Sequence, residues 1–359
     1  MNNTSKEYCK RKVALLCGSL YGGGSERFTV TLANKLSEEK KLQVYVVTES
    51  KKDGEYPLSK KVKRECLMRD RRLILDAVVL HNFLNREHID IAIGIGIYSN
   101  LVLCLTNIFL KTKIIICERN DPKHDFLSWK SRLLRRILYF QSDYYVFQTE
   151  EAKKFYYKNI QARSFVIHNP VKRDLPFKSD VCKEEIVTLA RLLPQKNYPM
   201  LLNAFKLVHD KHPEYRLRIF GEGKEKHKLE KLARDLQIKD AVLFEGFCLD
   251  AHERIIDSDI FVMSSDFEGM SNALMEAMAM GFPVVTTDCP IGGPAELIED
   301  GVNGLLVEVG DAADMAKKLN YLIENLEIKQ HIAREALNMR YTHSEDKIIK
   351  QWLEILMTI

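Results

Sequence analysis

Short apolar runs rich in β-branched residues alternate with amphipathic stretches along most of this 359-residue chain. Lys12 to Gly18, Leu42 to Glu49, Ile89 to Gly96, Lys113 to Glu118 and Ser142 to Glu150 each read as a strand followed by a turn or a helix. That order requires parallel strands, because a strand that runs the same way as its neighbour needs a helical crossover. The rhythm breaks at FVIHNPVKRDLPFKSDVCKEE, where Pro170, Pro176 and a charged run interrupt it. It resumes with EIVTLARL, the helical YPMLLNAFKLVHDKHP, YRLRIFGEG, KEKHKLEKLARDLQ, AVLFEG and SDIFVMSS. The reading is α/β, with two Rossmann-like domains over 1–170 and 171–340. A last helix within 341–359 is expected to pack back on the first domain. Ligands of such sheets bind beyond the carboxyl ends of the strands, so the functional site is expected in the cleft between the domains.

Ile91 to Leu110 is free of charge over a length that could span a bilayer. Its glycines and its polar Ser99, Asn100, Thr106 and Asn107 favour a buried strand, a turn and a buried helix instead. The eight cysteines show no CxxC or metal-ligand spacing, and Cys17 and Cys117 fall in strand-like runs, as reduced buried thiols would. The ten histidines form no HExxH or similar pattern. Asp257-Ser258-Asp259 has the D-x-D form of some metal sites, but it abuts a strand, where such a pair more often caps.

The net charge of +4 is unevenly spread. Residues 1–170 hold 30 Lys+Arg against 18 Asp+Glu, and the rest carries a net −8. Basic clusters at Lys10 to Lys12, at Arg69, Arg71 and Arg72, and in the helical SWKSRLLRRILYF around Arg132, Arg135 and Arg136 suit an anionic membrane surface. A solvated helix face is the plainer reading of the same residues. No nucleic-acid motif is present, and none is expected as a partner.

Three stretches can carry chemistry. In GSLYGGGSERF a glycine-rich loop joins a strand to a helix, with Ser25 as the expected N-cap. Gly22, Gly23 and Gly24 let backbone N–H groups approach a phosphate closely. A dinucleotide fingerprint would need a third glycine where Arg27 stands. In LARLLPQKN, Arg191 and Lys196 place two cations in a strand-to-helix loop, suited to a diphosphate whose charge grows as a bond to it breaks. In SSDFEGMSNALMEAMAMG, Ser271 is a good N-cap and Glu276 is the one charge on an otherwise apolar helix. A buried carboxylate needs hydrogen-bond partners, and a sugar diol is one natural choice. Asn272 and Glu276 are i, i+4 neighbours, and Gly269, Met270 and Ser271 offer backbone N–H groups at a helix start.

The chain resembles the retaining GT-B glycosyltransferases of family 4, especially bacterial enzymes of capsule, exopolysaccharide and O-antigen assembly. The resemblance rests on GGGSERFTVTLANKL, ICERNDP, VIHNPV, LARLLPQKNYPMLLNAF, IFGEGKEKHKLEKLA, FEGF and, most specifically, EGMSNALMEAMAMGFPVVTTDCPIGGPAELIEDGVNGLLV. It implies a hexosyltransferase that needs no metal or cofactor and uses a nucleotide-diphosphate sugar. The donor would be UDP-linked, with an N-acetylhexosamine among the candidates, and the acceptor a glycan on a polyprenyl diphosphate. It implies that Arg191 and Lys196 hold the donor diphosphate, that Glu276 binds the ribose hydroxyls, and that Glu268 with Gly269, Met270 and Ser271 meets the donor sugar or phosphate. Gly23 and Gly24 would close on the diphosphate, and the base would lie near Gly221, Gly246 and Phe247. Many relatives have a histidine where this chain reads Glu118-Arg119-Asn120-Asp121, so Arg119 is the candidate for a donor or acceptor contact there. The expected location is cytoplasmic, peripheral on the inner face of the membrane. A nucleotide-sugar epimerase and a non-catalytic nucleotide-sugar binder are the alternatives.

Overall fold

The structure is a computed structural model that describes residues 10–67, 72–106, 110–123 and 129–359; Arg69, Arg71 and Asn107 lie outside them. The chain forms two compact units, one running to His168 and taking in Ile348–Ile359, the other Asn169–Lys347.

The first unit holds β1 (Arg11–Cys17), β2 (Leu42–Thr48), β3 (Lys63–Cys66), β4 (Ile91–Ile95), β5 (Lys113–Cys117), β6 (Tyr144–Phe147) and β7 (Ser164–Val166). Its helices are α1 (Gly24–Leu36), α2 (Leu73–Glu87), α3 (Ile97–Thr106), α4 (Trp129–Leu138), α5 (Glu150–Lys154) and α6 (Lys158–Gln161). The seven strands lie in the order β3-β2-β1-β4-β5-β6-β7 and every pairing is parallel. The chain reverses its direction of travel across the sheet between β1 and β4. That is the switch point, where loops diverge and leave room for a ligand.

In the second unit β8 (Lys183–Leu189) leads to α7 (Tyr198–Lys211), β9 (Arg216–Phe220), α8 (Lys226–Asp235), β10 (Val242–Gly246) and α9 (Ala251–Arg254). Then follow β11 (Ser258–Met263), α10 (Asn272–Met280), β12 (Val284–Thr287), α11 (Gly293–Leu297) and β13 (Leu305–Val307). Helices α12 (Ala312–Glu324), α13 (Leu326–Ala336), α14 (Met339–Thr342) and α15 (Glu345–Thr358) complete the chain. The strand order β10-β9-β8-β11-β12-β13 puts the switch point between β8 and β11. Both units are the doubly wound α/β sheets that the βα rhythm predicts.

Each face of the first sheet has its own cover. Val13, Leu15, Ile93 and Ile115 share a core with Phe28 and Leu32 of α1 and with Ile348, Trp352 and Leu356 of α15. On the other face Tyr45 of β2 meets Phe83 of α2 edge-on, and α3 packs beside both α2 and α4. The uncharged stretch resolves into β4, Gly96 in a left-handed turn, and α3 with Ser99, Asn100 and Thr106 buried. Among the described residues no helix is long and apolar enough to cross a membrane.

Three expectations change. Ser164–Val166, at the start of the stretch read as a linker, is β7, paired in parallel with β6. Ser25 does not cap α1: Gly23 is the cap, extended at φ −108° and ψ 168°, and Ser25 sits inside the first turn. The basic face of α4 is smaller than its composition suggests. Arg135 is 5% exposed and turns inward to donate to the Pro122 carbonyl at 3.0 Å, leaving Arg132 and Arg136 outside.

The D-x-D pair is structural. Asp259 accepts from Lys329 Nζ at 2.7 Å and from the Tyr215 hydroxyl at 2.8 Å, and Asp257 lies 3.5 Å from Lys183. At the amino end of β11, opposite the edge where ligands bind such sheets, both serve to anchor the strand.

Candidate active site

Two loops leave the switch point of the second sheet, and hydrogen bonds tie them together. The first, after β8, carries Arg191 and Lys196. It tightens into a 3₁₀ turn at Pro194–Lys196, then passes through Asn197 at φ 41°, a left-handed conformation that asparagine tolerates. The Asn197 side chain caps α7 by accepting from Met200 N at 3.2 Å and donates to Asp266 at 2.6 Å. The second loop, after β11, runs from Ser264 to Ser271. Asp266 N donates to the Gln195 carbonyl at 2.9 Å, Gln195 Nε2 to the Phe267 carbonyl at 2.7 Å, and Ser264 Oγ to the Lys196 carbonyl at 2.8 Å. This lacing fixes the loops against one another, so the side chains they carry are pre-positioned.

Lys196 and Glu268 form an ion pair across the join. Glu268 is 8% exposed and also accepts from Ser265 Oγ at 2.8 Å. Arg191 is exposed and pairs with no described acid. The loop thus offers one cation neutralised by its neighbour and one open to an incoming anion. Below them the Cys289 thiol is pushed up to about 12 by burial, with the Glu268 charge adding to the effect.

Ser271 caps α10, its Oγ accepting from Leu274 N at 3.4 Å, and Gly281 ends the helix at φ 88°. From Leu274 to Met280 every residue is buried, Glu276 among them at 4%. Asn272 and Glu276 take separate partners. Asn272 Oδ1 accepts from Asn169 Nδ2 at 2.8 Å, whereas Glu276 Oε2 pairs with His252 Nε2 at 3.0 Å. Met270 is engaged too, its carbonyl accepting from Asn169 Nδ2 at 3.0 Å. Asn169 and His252 are the contacts that sequence reasoning missed, since a residue far along the chain carries no periodic signal.

A third loop, after β12, was also missed. Thr287 Oγ1 and Cys289 Sγ reach the Ser265 carbonyl at 2.6 and 3.1 Å. Ile291 has φ 71° and Gly292 φ 74°, a conformation costly for a β-branched residue. Gly293 lies so close to the Gly269 carbonyl that an added Cβ would collide with it. Gly293→Ala is therefore expected to displace the 268–271 loop and lower the melting temperature by several degrees, as a thermal melt would show. Gly-Gly before Pro294 was the available signal.

At the neighbouring strand ends Gly246 has φ 76°, accepts from Gly221 N at 2.8 Å, and is followed by Phe247, 61% exposed. In the first unit Gly22 takes φ 82° and Gly23 extends ahead of α1. No side chain caps α1, and the Glu26 carboxylate of its first turn lies so close to Gly23 that an added Cβ would collide with it. Arg119, just past β5, stacks on Phe28 of α1 with its guanidinium carbon 3.6 Å from the ring centre. Burial lowers its pKa, with the nearby Cys117 opposing. The structure thus places Arg191, Lys196, Glu268, Gly269, Met270 and Ser271 on two joined loops and Asn272 and Glu276 on the helix α10 that follows them, with Gly246 and Phe247 at the end of β10. Gly23, Gly24 and Arg119 stand at the first unit's own carboxyl edge.

Residues 173–339, which contain Arg191, Lys196, Gly246, Phe247 and Glu268 to Glu276 but not Gly23, Gly24 or Arg119, match the family described as Glycosyl transferases group 1. The chain carries a group 1 glycosyltransferase domain. Over its length this glycosyltransferase is 26% identical to an uncharacterized glycosyltransferase of Haemophilus influenzae, covering 93% of this chain and 96% of that one. It is also 26% identical to the N-acetylgalactosamine-N,N'-diacetylbacillosaminyl-diphospho-undecaprenol 4-alpha-N-acetylgalactosaminyltransferase of Campylobacter jejuni, covering 97% and 100%. Among solved structures, Anabaena HepE in complex with UDP and glucose superposes with a TM-score of 0.82 at 18% identity, covering 97% and 100%. That likeness establishes the GT-B fold for the glycosyltransferase. None of the three is described as an epimerase.

Proposed function

We propose that this glycosyltransferase moves a sugar from a UDP-linked donor onto a lipid-linked glycan in bacterial surface polysaccharide assembly, with retention of anomeric configuration. The observation that carries the reading is the laced pair of loops at the β8/β11 switch point, which joins Lys196 to Glu268 and leads into the helix that buries Glu276. Arg191 and Lys196 take the diphosphate, Glu268 and the backbone of Gly269 to Ser271 the transferred sugar, and Glu276 the ribose. Gly246 and Phe247 border the base. In the first unit Gly23, Gly24 and Arg119 serve the acceptor side.

The bond from the anomeric carbon to the diphosphate oxygen breaks as the acceptor oxygen attacks from the same face. The acceptor proton passes to the leaving phosphate, whose growing charge Arg191 and Lys196 offset. UDP is favoured by the HepE complex, and a diphospho-undecaprenol acceptor by the name of the Campylobacter relative. Screening UDP-sugars for transfer and for thermal stabilisation tests the donor. If no UDP-sugar stabilised the protein while another nucleotide did, the UDP assignment would be wrong.

The first unit is read as the part that meets the membrane's anionic inner face. Beyond Arg132 and Arg136, α2 exposes Ile74, Leu75, Val78 and Val79 in its first two turns, Ile74 being 74% exposed. The exposed Arg72 precedes them. Apolar residues rimmed by arginine suit an anionic lipid interface. Flotation with anionic liposomes should recover the protein, and Ile74→Asp with Val78→Asp should reduce recovery several-fold. Equal recovery with neutral liposomes at high salt would remove the electrostatic part of this reading.

A further inference from the structure

The buried Glu276 has a partner that belongs to neither laced loop. His252 Nε2 lies 3.0 Å from Glu276 Oε2, and the two side chains are 13% and 5% exposed. A carboxylate can only accept, so Nε2 carries the proton and donates. His252 stands on α9, and α9 is held firmly. Ala251 and Ile255 are buried in the same core as Leu274, Ala277 and Met278 of α10, and Arg218 Nη1 donates to the Arg254 carbonyl at 3.1 Å. The imidazole therefore projects from a fixed base toward the one charge on α10.

We propose that His252 is a positioning residue for the nucleotide ribose, acting through Glu276. The terminal torsion of a glutamate is soft, with a broad range of carboxylate rotations. To accept from two neighbouring hydroxyls at once, the carboxylate must hold its plane, and the hydrogen bond from His252 fixes that plane. The same bond stabilises the ionised form inside an apolar helix, and only the ionised form accepts from both hydroxyls. His252 also follows directly on the Gly246 to Asp250 segment that borders the base, so it couples the base-side loop to the ribose carboxylate. The inference rests on the reading of Glu276 as the ribose-binding group.

The test is calorimetric titration of the full chain with UDP and with 2'-deoxy-UDP. The wild-type protein is compared with His252→Ala, His252→Gln, Glu276→Ala and the double variant His252→Ala/Glu276→Ala. The wild type should prefer UDP by about tenfold, because a site built to bind a hydroxyl rejects the analogue that lacks it. His252→Ala should weaken UDP about tenfold, the size of one lost hydrogen bond to a charged group, and weaken 2'-deoxy-UDP less. Glutamine, which keeps an N–H donor, should restore most of the preference. The double variant should bind no more weakly than Glu276→Ala, because the two residues act as one unit. Equal losses for both nucleotides, or losses that add in the double variant, would show a structural role and overturn the proposal. If Glu276→Ala kept the full UDP preference, the ribose assignment would fall and the inference with it. If Glu276→Ala lost that preference and His252→Ala kept it, the histidine proposal alone would fail.

Discussion

Glu276→Ala is expected to weaken UDP about 100-fold while leaving the melting temperature within a few degrees of wild type. Two hydroxyls of a ribose would each lose a hydrogen bond to a charged acceptor, at about 1.5–3 kcal/mol apiece, and one such factor of ten in affinity is about 1.4 kcal/mol. Stability should hold because truncation removes the buried charge along with its partner's obligation. Glu276 is 4% exposed on an apolar helix, and the His252 side chain, 13% exposed, can reach water once its partner is removed. Glu276→Gln should fall between, since the amide keeps one acceptor but turns an N–H toward the second hydroxyl. Unchanged UDP affinity in Glu276→Ala would sink the ribose assignment outright.

The contrast between Glu268 and Glu276 shows how much of this site a sequence carries. Both acids stand out in SSDFEGMSNALMEAMAMG, one beside a glycine on a loop and one in an apolar helix, and the structure puts each where that context implies. Their partners were another matter. Lys196 and His252 lie 72 and 24 residues away from Glu268 and Glu276, and only the strand order that sets β8 beside β11 brings the first pair together. Central strands were legible because burial on both faces makes them continuous apolar runs, as in Ile114 to Cys117. The edge strands were not: β3 reads KREC and is partly exposed, and β7 is three residues long. Short, half-solvated edges carry little hydrophobic pattern. Arg135 illustrates the same limit on a helix. Its charge argues for solvent, yet its guanidinium reaches the Pro122 carbonyl, a partner no local pattern reveals.

Lys196→Ala should lower kcat/KM for sugar transfer by about 10²–10³, the loss typical when one preorganised charge or donor at a developing anion is removed. Arg191 cannot replace it, because Arg191 is exposed and on the other side of the 3₁₀ turn. The same substitution should also destabilise the protein, and that effect has a different origin. Glu268 is 8% exposed, and with Lys196 gone it retains only the Ser265 hydroxyl among the contacts described for Oε1. A buried charge stripped of its ion partner costs on the order of 3 kcal/mol. The double variant Lys196→Met/Glu268→Gln separates the two effects. With neither group charged the desolvation penalty disappears, so the melting temperature should return most of the way to wild type while transfer stays lost. If activity recovered together with stability, Lys196 would be a structural partner of Glu268 and the diphosphate would be held elsewhere. If the double variant stayed both inactive and unstable, the loops would need the ion pair itself to keep their hydrogen-bonded lacing, and the single-variant activity loss would report loop displacement instead of missing charge.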